Sequence, residues 1–175
     1  GEIGIEAQLE KLACALAGGL RLLQIREAAL SVEKREAFAR EATRLAHAHG
    51  ARLLVNGDIA LARHVGADGV HLPCAQLMQL AERPDLPLVA ASCHNAPELA
   101  RAAALALDFA VLGPVKETLS HPGVAGLGWA RAAHLLENIP LPVFALGGLQ
   151  RGDLAAAQQA GAHGIAAIRA AWDYC

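Results

Sequence analysis

The chain has 175 residues, 54% of them hydrophobic and 3% aromatic, with a formal net charge of −2. That length suits one domain with its own core, and a near-neutral chain without a basic stripe excludes nucleic acid as its main partner. No apolar run reaches the roughly 18–20 residues that span a membrane, and no signal-peptide pattern is present, so a cytoplasmic protein is expected.

Along the chain, short apolar runs alternate with longer helical patterns. Leu9, Leu12, Ala13 and Leu16 repeat at helical spacing, which predicts a helix over about Glu6–Leu16 that stops at Gly18-Gly19. Leu20–Arg26 is a predicted strand. Ser31 then caps a helix that ends at Gly50, with Lys34, Arg35, Arg40 and Arg44 on its wet side and Phe38, Ala42 and Leu45 on its dry side. Further strands are predicted at Arg52–Asn56, Gly69–Leu72, Leu88–Ser92, Phe109–Leu112, Pro142–Leu146 and Gly164–Ile168. Between them come a short helix to Val65, a helical or turn-rich stretch from Cys74 to Arg83, and helices over Ala96–Leu105, Trp129–Glu137 and Asp153–Ala160. A polar loop, Gly113–Gly128, is a candidate lid.

One turn recurs: Gly50-Ala51, Gly66-Ala67 and Gly161-Ala162 each stand where a helix hands over to a strand, and glycine accepts the left-handed backbone of such a C-cap. Strict alternation with short turns argues a parallel sheet with helices outside it. The expected fold is therefore a (β/α)8 TIM-type barrel spanning residues 1–175 as a single domain, with its first strand short or missing, since only Gly1–Ile5 precedes the first helix. That start reads as a cut in a longer polypeptide, and the exposed sheet edges it would leave invite a homodimer. No G-x-G-x-x-G follows the first strand, which argues against a dinucleotide-binding sheet.

In a barrel of this kind, sites lie at the C-terminal ends of the strands. Those ends carry Gln24 and Arg26, Asn56, Ser92 and His94, Gly113-Pro114 with Thr118 and His121 beyond, Gly147-Gly148, and Ile168-Arg169. Arg26 suits a phosphate or carboxylate, or else an internal salt bridge. Gly147-Gly148 follows the next-to-last strand, where paired glycines let backbone N–H groups approach an anion; the bland alternative is a tight turn. The four cysteines, Cys14, Cys74, Cys93 and Cys175, form no C-x-x-C pair and are expected to be free thiols. His71, Cys74, Cys93, His94 and His121 match no standard zinc spacing, so no metal site is expected from them; His71 and Cys93 read as packed core.

Taken in order, Gln24-x-Arg26, Val55-Asn56, Gly66-Ala67-Asp68-Gly69-Val70-His71-Leu72, Ser92-x-His94, Gly113-Pro114-Val115-x-x-Thr118 and Ala145-Leu146-Gly147-Gly148 resemble the thiamin phosphate synthase family and its TenI-like relatives. The resemblance implies a (β/α)8 barrel that joins a thiazole phosphate to a pyrimidine pyrophosphate with magnesium help. It places Gln24, Arg26 and Asn56 near the pyrimidine and pyrophosphate, Ser92 against the pyrimidine and Thr118 around the leaving group. Gly147, Gly148 and the backbone near Ile168 would hold the thiazole phosphate. TenI-like members are thiazole tautomerases; by residue type and position alone, His94 or His121 is the candidate acid/base group for that reaction here.

The departures are specific. The family's Gln-x-Arg-x-Lys is Gln24-Ile25-Arg26-Glu27-Ala28, and its Asn-Asp pair is Asn56-Gly57, with Asp58 one place later. Its Gly-Gln-x-Asp is Pro73-Cys74-Ala75-Gln76, its Thr-x-Thr-Lys is Thr118-Leu119-Ser120-His121, and its late serine is Arg169. These changes remove two magnesium carboxylates and two lysines, so the expected domain binds a small phosphorylated heterocycle with no cofactor, or with Mg2+ if synthase activity is retained. A narrower likeness rests on Asn56-Gly57-Asp58, Ser92-Cys93-His94, Ser120-His121-Pro122-Gly123 and Gly128-Trp129. It is to barrels fused behind a Nudix hydrolase domain, which implies a Nudix partner in the same polypeptide and an accessory or ligand-sensing role.

Overall fold

The computed structural model describes residues 4–27, 29–118 and 125–168. They fall into two compact units, one of residues 4–71 with 84–88, the other of 72–83 with 89–168.

The first unit holds α1 (Ile5–Ala17), β1 (Leu22–Ile25), α2 (Val32–Ala48), β2 (Arg52–Asn56), α3 (Ile59–Val65) and β3 (Gly69–Leu72, whose last residue opens the second unit). Ser31 caps α2 by accepting the Lys34 N–H, and Asp58 caps α3 by accepting the Leu61 N–H at 2.9 Å. The apolar stripe of α2 is buried through Phe38, Ala39, Ala42 and Ala46, beneath which Leu53, Leu54 and Val55 of β2 are also buried. The strands are parallel and follow chain order, with Leu22 opposite Arg52 and Leu54 opposite Gly69.

The second unit holds α4 (Cys74–Gln79), β4 (Leu88–Cys93, from its second residue), α5 (Ala96–Ala104), β5 (Phe109–Leu112), α6 (Gly128–Leu136), β6 (Val143–Ala145), a 3-10 turn at Arg151–Asp153, α7 (Leu154–Gln159) and β7 (Gly164–Ile165). Its strands too are parallel and in chain order: Ala90 faces Phe109, Ala110 faces Val143, and Ala145 faces Ile165. All four residues of β5 are buried, as expected of a parallel strand covered on both faces. Phe109, Phe144 and His163 stack edge to face.

The recurring glycine turn is present. Gly50, Gly66 and Gly161 take φ of 65°, 70° and 86°, and the alanine after each donates its N–H back to the preceding helix, Ala51 to Ala46, Ala67 to Ala62 and Ala162 to Ala157. The turn from α5 into β5 makes the same bond, Leu107 to Ala102, but places Ala106 at φ 51° where the others have glycine. A second device is shared by the units. Asp68, just ahead of β3, accepts the N–H of Leu53 at 2.8 Å, and Asp108, just ahead of β5, accepts that of Val89 at 2.7 Å. Each carboxylate pins the start of the preceding strand, and each is paired, with His47 and Arg83 respectively.

Several expectations shift. The stretch expected to be helical or turn-rich over Cys74–Arg83 is helical as far as Gln79, and the strands expected at Leu20–Arg26 and Gly164–Ile168 shorten to Leu22–Ile25 and Gly164–Ile165. Ile5 belongs to α1, so the room for a preceding strand lies almost wholly outside the described residues. Cys74 and Cys93 are free thiols as expected, whereas Cys14 is disulfide-bonded.

Candidate functional site

In the first unit, Gln24 and Arg26 end β1 exposed to solvent, and among the described residues Arg26 forms no ion pair, against the alternative of an internal salt bridge. Asn56 ends β2 half-buried, with its amide 3.4 Å from the His71 carbonyl. Asp58 is committed on both oxygens: one caps α3, and the other lies 3.3 Å from the Arg35 guanidinium. His71 is buried, and desolvation pushes its pKa down to about 4, so it is a neutral core histidine near pH 7.

In the second unit, Ser92 is half-buried on β4 and Thr118 half-buried in the loop after β5. The Gly113–Pro114 bond is cis. The stems of that loop are tied down: Val115 donates to Leu146 at 2.8 Å, Lys116 to Gly147 at 3.0 Å, and Leu127 and Gly128 donate to Pro114 and Val115. Lys116 also pairs with Asp153 at 2.7 Å, holding that carboxyl below the usual carboxylate range. Residues 119–124 of the expected lid, His121 among them, lie outside the described residues, as do Arg169 and the position of the missing lysine, Ala28.

Gly147 and Gly148 take φ of 105° and 63°. A Cβ on Gly147 would stand 2.5 Å from Pro114 Cα, and one on Gly148 would stand 2.4 Å from the Glu117 carbonyl oxygen. Both glycines are thus required by fold and packing together. The Gly147 carbonyl is used by Lys116, but the N–H groups of Gly147 and Gly148 donate to no group among the described residues. On the neighbouring strand, the Ala166 N–H donates to Ala145 at 2.8 Å, and the next two N–H groups, of Ala167 and Ile168, are likewise unclaimed among the described residues. Four backbone donors unclaimed among the described residues therefore follow the paired ends of β6 and β7, the chemistry of an anion cradle.

Sequence reading did not foresee one cluster. The Cys74 sulfur, a ring nitrogen of His94 and a Glu98 carboxylate oxygen lie within 4.8 Å of one another. Cys74 opens α4, His94 follows β4, and Glu98 sits in the first turn of α5. The signal available was His94 four residues before Glu98 at a helix start. Cys93 next to it is buried, and burial pushes its thiol up to about 12, so it stays protonated and inert.

The magnesium that the resemblance implies needs oxygen ligands, carboxylates above all. Asp58 has one oxygen in a helix cap and the other beside a cation, and Pro73-Cys74-Ala75-Gln76 supplies no carboxylate. These residues do not fit a magnesium site.

Compared with known proteins, residues 2–171 match the profile described as thiamine monophosphate synthase. A putative thiamine-phosphate synthase of Geobacter sulfurreducens is 39% identical over 89% of this chain and 75% of its own length. The thiamine-phosphate synthase of Chromobacterium violaceum is 40% identical over 92% of this chain and 79% of its own length. That of Thermosynechococcus vestitus is 35% identical over 93% of this chain, which spans 47% of that protein. Among solved structures, thiamine phosphate pyrophosphorylase from Pyrococcus furiosus superposes with a TM-score of 0.77 at 23% identity, over 92% of this chain and 78% of that one. That likeness speaks to the α/β fold. Among the described residues no helix is long and apolar enough to cross a membrane.

Proposed function

The chain belongs to the thiamine monophosphate synthase family, and on that premise we propose that it binds a thiazole phosphate, or a closely related phosphorylated heterocycle, while its pyrophosphate chemistry has decayed. One observation carries the reading: the N–H groups of Gly147, Gly148, Ala167 and Ile168, beyond the paired ends of β6 and β7, are unclaimed among the described residues. Backbone donors with fixed φ bind a phosphate without needing any particular side chain. Arg169 adds a cation next in sequence.

The other half of the reaction lacks support of that kind. A departing pyrophosphate needs several positive charges or a metal. Two family lysines are Ala28 and His121 here, and Asp58 is spent on α3 and Arg35. In this reading Gln24, Arg26 and Asn56 in the first unit, and separately Ser92 and Thr118 in the second, are ligand-binding side chains, and synthase turnover is slow or absent. No cofactor is assigned.

Two further readings differ in what the bound ligand undergoes. In a tautomerase, His94 moves the proton; its Nδ1 is held 2.6 Å from the Gly113 carbonyl, which fixes the ring for transfer through Nε2. In an accessory domain of a cytoplasmic, Nudix-fused polypeptide, the domain only senses ligand; pairing of exposed sheet edges into a homodimer is compatible with each reading. Reading the gene upstream of Gly1 tests the fusion, and light scattering tests the dimer.

Calorimetry of the purified chain with thiazole phosphate tests the main reading. Saturable binding is expected, with little thiamin phosphate formed when pyrimidine pyrophosphate and magnesium are added. Absence of heat with both thiazole phosphate and thiamin phosphate removes the binding reading, and family-like turnover removes the decay.

A further inference from the structure

Cys74, His94 and Glu98 offer a thiol, an imidazole and a carboxylate at the ends of three elements, α4, β4 and α5, all in the second unit. We propose that these three side chains bind a zinc-class transition-metal ion, leaving one coordination position open.

The donor types decide the metal. Thiolate and imidazole suit zinc, cobalt and their neighbours and do not suit magnesium, and three protein ligands with one exchangeable position is the arrangement of open zinc sites. The ligand atoms, now within 4.8 Å of one another, need only small side-chain movements to reach the roughly 2.0–2.3 Å bonds of tetrahedral zinc.

The surroundings already orient two of the three ligands. His94 Nδ1 faces the Gly113 carbonyl at 2.6 Å, and a carbonyl only accepts, so Nδ1 carries the hydrogen and Nε2 keeps the lone pair that ligates. A second ring nitrogen spent on a carbonyl is the usual outer support of a metal-bound histidine. Glu98 is fixed from both sides: one oxygen accepts the His94 N–H at 2.6 Å, the other the Asn95 amide at 2.8 Å. Each carboxylate oxygen retains a further lone pair for a metal. Binding forms the sulfur–metal bond as the Cys74 thiol releases its proton to solvent.

This inference stands apart from the phosphate cradle, and it gives the missing magnesium carboxylates a different meaning. Cys74 lies within the segment where the family carries Gly-Gln-x-Asp, so a soft donor occupies a stretch the resemblance assigns to a hard one.

The test is a cobalt titration of the full chain after chelator treatment, followed by absorption. Expected are one equivalent of Co2+, a thiolate-to-cobalt charge-transfer band in the near ultraviolet, tetrahedral visible bands, displacement by Zn2+ and none by excess Mg2+. Cys74→Ser abolishes the charge-transfer band and weakens Zn2+ binding by on the order of tenfold or more. Glu98→Gln, which keeps one acceptor oxygen and gives up the other, weakens Zn2+ while the band persists. His134→Ala, on an exposed histidine of α6, changes neither. Circular dichroism establishes that each variant is folded. No charge-transfer band in the parent, or a band that survives Cys74→Ser, overturns the site. Thiazole phosphate binding by the metal-stripped chain reads the cradle separately, so the two proposals fail independently.

Discussion

The strand ends of the two units differ in what they leave free. In the first, Asp58, a carboxylate one place beyond the family's expected position in sequence, is consumed by a helix cap and by Arg35. In the second, backbone N–H groups after β6 and β7 are unclaimed among the described residues, beside a separate side-chain cluster of Cys74, His94 and Glu98. A site made of carboxylates is lost with a few substitutions. A site made of peptide groups needs only that the chain keep its path, and here packing enforces that path at Gly147 and Gly148.

The sharpest way to break this contrast is to compare two glycines of nearly equal φ. Gly147 and Gly19 have φ of 105° and 103°, but a Cβ on Gly19 meets nothing within 4 Å. Gly147→Ala should cost about 3–4 kcal/mol, combining left-handed strain with overpacking, and Gly19→Ala about 1 kcal/mol, from strain alone. Urea denaturation measures both. Equal costs would mean that the path after β6 is not set by packing against Pro114. The same geometry makes Gly148→Asp a poor probe of phosphate charge, since any side chain there meets Glu117.

The next effect belongs to the first unit. His71 has its pKa lowered from 6.5 to about 4 by burial. Between those values the unfolded chain holds more protons than the folded one, so stability is present above pH 6.5 and is lost as pH falls toward 4. The loss should reach about 3 kcal/mol, at ~1.4 kcal/mol per pKa unit. Denaturation midpoints across that range measure it, and a His71→Gln variant that keeps the full pH slope would assign the loss elsewhere.

A smaller, opposite effect is expected at the turn into β5. Ala106 occupies the left-handed position that glycine fills in the sister turns. Ala106→Gly should therefore stabilise by about 0.5–1 kcal/mol, the relieved strain less the added freedom of the unfolded chain. An unchanged or lowered thermal midpoint would contradict this. The smallest effect is expected for Asp58→Asn, which keeps an N-cap oxygen but loses the exposed pair with Arg35: about 0.5 kcal/mol or less, with no change in magnesium dependence. A changed magnesium response in a turnover assay would put Asp58 back in a metal site.

How far the sequence was readable follows the local chemistry. The strands at Arg52–Asn56, Gly69–Leu72 and Phe109–Leu112 have the bounds their apolar runs predict, because a helix C-cap and an aspartate or arginine mark where each begins. The first and last strands were overextended, since an apolar run carries no mark of where its partner's ladder ends. Ala106 hid its turn by standing in for glycine. Gly147-Gly148 was legible as a pair, but its packing against Pro114 and Glu117 was not, because those contacts join segments distant in sequence. The same distance concealed Cys74, His94 and Glu98, two of which had been weighed for zinc without the third.

In the proposed function, backbone amides after β6 and β7 hold a phosphate. Nitrogen-15 NMR of the chain titrated with thiazole phosphate, and separately with the corresponding thiazole alcohol, tests it directly. The amide signals of Gly147, Gly148, Ala167 and Ile168 should move with the phosphate and stay in place with the alcohol. Signals that remain fixed at saturating phosphate, or that move equally with both compounds, would contradict it.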